Sequence, residues 1–143
     1  MTNAVPWLTT AFGELVAGVA EVPGADNNLR ILEYLRSTSI GDGGGDETPW
    51  CSAFVNWAML INGIPRTRSA SARSWIEWGQ TSKPVVGAVT VLWRRDANSP
   101  LGHVGFYLGG NSGSVILLGG NQGNAVSVQS FPKARVLAYR MPK

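Results

Sequence analysis

Two hydrophobic rhythms divide the chain at Pro84. Ahead of it, apolar positions recur every three to four residues, the spacing of helix faces laid on a core; behind it they gather in short β-rich runs broken by glycine. The first helix is predicted over 6–20, opening at Pro6 and presenting Leu8, Ala11, Phe12, Leu15, Val16 and Val19, with Gly18 weakening its end and Pro23-Gly24 turning the chain. A second short helix, capped by Asn27 or Asn28, carries Leu29, Ile31, Leu32 and Leu35. A loop from Ser37 to Glu47 leads to a third helix with Cys51, Phe54, Val55 and Ala58 on one face. Thr48 suits its N-cap, Pro49 its first position, and Asn62-Gly63 followed by Pro65 its end. Ser69 or Ser71 opens a fourth helix that stops at Gly79. Strands are predicted at 87–93, 103–108, 114–118, 125–128 and 136–139, joined by Gly109-Gly110-Asn111 and Asn121-Gln122-Gly123-Asn124. Helices first and consecutive antiparallel strands second give an α+β fold. No repeat or linker interrupts it, so residues 1–143 read as one domain.

Composition narrows this picture. A chain of 143 residues that is 44% hydrophobic and 15% charged has enough apolar surface for a proper core. One cysteine excludes an intramolecular disulfide, and one histidine argues against a zinc site of the usual kind. The N-terminus lacks a basic stretch and Glu14 interrupts its apolar residues, so no secretory signal is visible, and no apolar run is long enough to span a membrane. The expectation is a protein made in the cytoplasm that meets its target after release or delivery. The net charge of +3 suits an anionic polymer, nucleic acid or cell-wall glycan. Basic residues cluster only at Arg94-Arg95 and Arg66/Arg68/Arg73, without a nucleic-acid motif, so no nucleic-acid partner is expected.

The candidate chemistry starts at Cys51. A cysteine in the first turn of a helix sits among unpaired N–H groups and the positive end of the helix dipole, which favour a thiolate. The alternative is a small buried hydrophobe. Cysteine catalysis also needs a base and a group to orient it. The base candidate is His103, just after Gly102, and the orienting candidate is Asn121, just after Gly119-Gly120. Glu47, four residues ahead of the cysteine, is either a substrate contact or a solvated loop carboxylate. Trp50 is either a core anchor or a substrate platform, and the Trp75/Trp78 pair favours core over sugar stacking. The 41–47 loop holds Asp42, Asp46 and Glu47 but lacks the ligand spacing of a calcium loop and the Gly-Lys-Ser/Thr of a phosphate loop. It reads as a lip to the cysteine helix, and no metal or cofactor is expected.

Pro49-Trp50-Cys51-Ser52-Ala53-Phe54-Val55-Asn56-Trp57, then Gly102-His103-Val104-Gly105-Phe106, then Gly119-Gly120-Asn121-Gln122, resembles the CHAP (cysteine, histidine-dependent amidohydrolase/peptidase) family, in particular its small single-domain bacterial and phage members. The likeness runs through nearly the whole chain in the family's order. It implies a papain-like fold, with the cysteine on a helix N-terminus against an antiparallel sheet that bears the histidine. It implies Cys51 as nucleophile, His103 as base and Asn121 as orienter, cleaving an amide bond of peptidoglycan through a thioester. Some members bind calcium near the cysteine, and this sequence has no clear match to that site.

The resemblance implies a lysin-like peptidoglycan hydrolase, an N-acetylmuramoyl-L-alanine amidase or an endopeptidase, with the sugar-proximal amide favoured, working as a monomer. Three other uses stay open from the sequence: an interbacterial wall-degrading toxin with an immunity partner, a catalytically silent wall-binding module, and a cysteine acyltransferase.

Overall fold

The computed structural model describes residues 5–23, 27–41 and 49–143. Among these residues, three α-helices, α1 (Pro6–Ala17), α2 (Leu29–Arg36) and α3 (Cys51–Ile61), precede six strands: β1 (Gln80–Thr81), β2 (Val89–Trp93), β3 (Gly102–Gly110), β4 (Ser114–Gly119), β5 (Ser127–Pro132) and β6 (Val136–Met141). The strands form one sheet in the order β1-β6-β2-β3-β4-β5, every pairing antiparallel. This is the expected α+β arrangement, with helices N-terminal to an antiparallel sheet.

Pro6 begins α1, which ends at Ala17, three residues short of the expected 20, with Gly18 capping it in the left-handed conformation, φ 72°. Asn28 caps α2 by accepting from the N–H groups of Arg30 (2.8 Å) and Ile31 (3.4 Å). The third helix departs from its expected start. It begins at Cys51 with Trp50 at the N-cap, and no side chain caps it. Pro49 therefore stands ahead of the cap rather than inside the helix, and Thr48 lies outside the described residues. The expected one-sided apolar face is also incomplete as a description, because every residue from Cys51 to Met59 is buried. A helix covered all round is the centre of the molecule, not a surface element.

Aromatic rings bind the helices together. Tyr34 lies 5.0–5.9 Å, centroid to centroid, from Trp50, Phe54 and Trp57, and Phe54 meets Phe106 of β3 at 6.2 Å. The Tyr34 hydroxyl donates to Glu14 at 2.6 Å, and Arg30 pairs with the same carboxylate at 2.9 Å. Glu14, which interrupts the apolar face of α1, thus satisfies a buried phenol.

The segment expected as a fourth α-helix is a 3-10 helix over Ala72–Glu77. Its three-residue turn stacks Trp75 and Trp78 on one side, 4.9 Å apart and edge to face. Trp75 is fully buried, with its indole N–H on Ser52 Oγ at 2.9 Å, which makes it core as expected. The fifth strand lies two residues later than expected. Ala125 forms an isolated bridge with Ala20, and Val126 N–H donates to Val19. These bonds tie 125–126 to the segment after α1 and delay pairing with β4 until Ser127. The two-residue strand β1, on the outer side of β6, has no counterpart in the hydrophobic pattern.

Candidate active site

The site forms where the N-terminus of α3 meets an incomplete part of the sheet. On one side of β3, His103 pairs with Leu92 of β2. On the other side, the β3–β4 ladder ends at the pair Phe106 and Leu118, three residues short of His103. That gap admits the start of α3 and the 120–124 loop. Two glycines make the approach possible. A Cβ on Gly120 would lie 2.7 Å from Phe54 Cβ and 2.8 Å from the Trp50 ring, and one on Gly119 would lie 2.4 Å from Gln122 Oε1.

The Cys51 thiol and the His103 ring meet across this junction, lining one cavity and each shifting the other's pKa. Burial pushes the thiol's pKa up. The hydrogen bond to His103, the charge of its imidazolium, and the backbone N–H groups of Val104 and Ser52 outweigh burial and bring it below its ordinary value. The uncapped start of α3 is the reason a donor is available there, since the first N–H groups of a helix have no partner within it. Burial likewise pushes the His103 pKa down. Its bond to Cys51, the thiolate charge and a bond from Gln122 raise it above the ordinary value, against an opposing effect from the Arg94 charge.

The amide that meets the imidazole is Gln122, one residue beyond the expected Asn121. His103 Nε2 and Gln122 Oε1 are 2.9 Å apart. The orientation of that amide follows from its other end, where Nε2 donates to the carbonyls of Leu117 (3.1 Å) and Ser127 (2.7 Å). Oε1 is therefore the acceptor, the imidazole proton sits on Nε2, and Nδ1 is the ring nitrogen left for the thiol. Asn121 lines the same cavity but takes the left-handed backbone conformation, φ 56°, which turns the next side chain under the sheet. Gln122 is buried, and the Phe131 ring on β5 completes the pocket around the imidazole, with ring centroids 5.1 Å apart and the planes tilted by 33°. Gly105 and Gly119 both lie against the Gln122 Oε1 in the fold.

Cys51 and His103 keep 7% and 8% of their surface exposed, and both line an open cavity of about 300 Å³, at the small end of ligand sites. Trp50 takes no part in it. The ring is fully buried, with its N–H on Glu21 at 3.2 Å, so it is the core anchor and offers no face to a substrate. Glu47, Asp42 and Asp46 lie outside the described residues. Among the described residues, no group of three or more His, Cys, Asp or Glu side chains is disposed to hold a metal ion, and no helix is long and apolar enough to cross a membrane.

Ser52 and Asn56 brace the helix that carries the thiol. Ser52 Oγ donates to the Ser69 carbonyl at 2.6 Å, while Asn56 donates to the carbonyls of Ser52 and Ser69 and accepts from Arg68 N–H at 2.7 Å. Neither residue stood out in the sequence, because a polar residue buried on a helix reads there as an exposed one. No curated protein matches the chain in sequence. The CHAP domain profile matches residues 43–121, a span that begins ahead of α3, contains Cys51, His103 and Asn121, and stops one residue before Gln122. With more than half its length matched and a thiol–imidazole pair formed where α3 meets the sheet, the chain belongs to the CHAP domain family.

Proposed function

We propose that the protein is a peptidoglycan hydrolase that cleaves a wall amide by nucleophilic catalysis from Cys51. The CHAP domain marks an amidase- and peptidase-type family associated with peptidoglycan. The observation that carries the finer reading is the chain of contacts from Cys51 to His103 to Gln122 opening into one cavity. A silent binding module has no need of a thiol with a lowered pKa beside an imidazole with a raised one.

In this mechanism the Cys51 thiolate attacks the amide carbonyl carbon, and the carbonyl electron pair moves to oxygen. The Cys51 N–H, at the first position of α3, supplies a donor for that oxyanion. Collapse forms the thioester and breaks the C–N bond, and the leaving amine takes the proton from His103 Nδ1. A water then gives its proton to the same nitrogen as it attacks the thioester, releasing the acid and restoring the thiolate–imidazolium pair. Gln122 holds the ring through Nε2 in both steps. Asn121 serves as cavity wall and as the turn that delivers Gln122.

Between the two amide classes of the wall, the sugar-to-peptide link is the proposed target. Mass spectrometry of digested wall tests it. Free stem peptides with peptide-free glycan are expected; intact lactyl linkages with newly cut peptides make the protein an endopeptidase. Cys51→Ala is expected to keep its circular dichroism spectrum and lose all turnover, and lysis by the folded variant rejects Cys51 as the nucleophile.

A further inference from the structure

Hydrolysis of an amide does not use two cations that stand in the same cavity. Arg94 and Arg135 both line it with Cys51 and His103, and no carboxylate lines it among the described residues. Arg135 is fixed in place. Its Nε donates to the Trp93 carbonyl at 3.0 Å, and its guanidinium lies 5.7 Å from the centroids of both the Trp93 and Phe131 rings. That spends one of five donors and leaves the terminal nitrogens of the fork without an acceptor among the described residues. Arg94 stands at the root of a fixed loop. Its N–H donates to Leu101, and Arg73 grips that loop through the carbonyls of Leu101, Ala97 and Asp96.

The Arg94 side chain has no hydrogen-bond or ion-pair partner among the described residues, where both ion pairs belong to Arg30. It is near enough to the imidazole for its charge to act on His103. Two unneutralised guanidinium groups, one held rigidly between aromatic rings, match the planar fork of a carboxylate better than they match any neutral group.

We propose that Arg94 and Arg135 form a carboxylate-recognition subsite of the Cys51 cavity, which selects acidic muropeptides whose stem presents a free carboxylate within reach of the cavity. The disfavoured substrate is the same peptide with that carboxylate capped as a carboxamide. The proposal rests on the reading of the cavity as an amide-hydrolysing site, and its test separates binding from cleavage.

Two synthetic muropeptides that both keep the sugar-to-peptide amide and differ only in free acid against carboxamide are titrated calorimetrically into the Cys51→Ala protein. The acid is expected to bind about ten- to a hundredfold more tightly, the range of a charge-assisted bidentate contact. The ratio is expected to fall to about one when Arg94→Gln and Arg135→Gln are added, and Arg135→Lys is expected to recover only part of it, since lysine keeps the charge and loses the fork. Equal binding of the two peptides, or a preference that survives both substitutions, overturns the subsite. Cleavage by the protein with Cys51 intact is scored separately: if neither peptide is cut, the hydrolase reading falls, while the binding ratio still decides the subsite.

Discussion

Burial alone would leave Cys51 a protonated and inert thiol. What activates it is local: one imidazole and two N–H groups, against a desolvation cost that acts in the opposite direction. The pH dependence follows from those signs. The thiol's pKa is lowered, so the thiolate is present above that lowered value and is lost as pH falls through it. The imidazole's pKa is raised, so the imidazolium persists to higher pH and is lost as pH rises through it. Hydrolysis is expected to follow a bell between these limits. Iodoacetamide is expected to alkylate Cys51 below the ordinary thiol range of about 8.5, and His103→Ala to move that titration upward. An unchanged alkylation profile in the variant breaks the pair. Gln122→Ala is expected to lower turnover about ten- to a hundredfold, forfeiting part of the benefit of a positioned base, whereas Asn121→Ala has the smaller effect. Turnover that responds to Asn121 more than to Gln122 would return the orienting role to Asn121. Cys51 and His103 were legible in the sequence because each is the only residue of its kind. The choice between two adjacent amides was not, since it depends on the left-handed φ at Asn121 that sends one inward and leaves the other on the cavity wall.

At the scale of elements, the site depends on how closely the end of β4 approaches the start of α3. Gly120 sets that distance, because a Cβ there would press on both Trp50 and Phe54 in a fully buried aromatic cluster. Gly120→Ala is expected to destabilise the protein by roughly 1–3 kcal/mol, the usual cost of overpacking, measured as a lower urea midpoint. Gly119→Ala meets the Gln122 side chain instead of a packed ring. It is expected to cost more in turnover than in stability, and the reverse order would mean that Gly119 serves the sheet and not the amide. The helices that frame this junction were legible from periodicity, and the α2 cap from its chemistry, narrowed to Asn27 or Asn28, of which the fold uses Asn28. The start of α3 was not, because Trp50 takes the cap position for the sake of its buried ring, and capping rules count only side-chain oxygens. The late start of β5 escaped for a related reason: Val126 is a β-former and begins an alternating run, but the segment after α1 claims Ala125 and Val126 before β4 can.

For the whole molecule, two electrostatic effects of different range act on an anionic wall. The net charge of +3 spreads over the chain and draws the protein to a polyanion across many ångströms. The contacts inside the cavity act at hydrogen-bond distance on a single peptide. Salt separates them, because the screening length falls from about 10 Å at 0.1 M to about 3 Å at 1 M, too short to sustain long-range attraction. Clearing of whole walls is therefore expected to slow several-fold over that range. Hydrolysis of a small soluble muropeptide that keeps the sugar-to-peptide amide is expected to change much less, since it depends on the cavity and not on capture by a surface. The two rates are measured on one preparation across a salt series, with circular dichroism confirming that the fold is unchanged. Parallel loss of both rates would assign the salt effect to the cavity. Wall clearing that ignores salt would mean that the basic surplus takes no part in wall capture, and that the peptide contacts within reach of Cys51 hold the protein to its substrate.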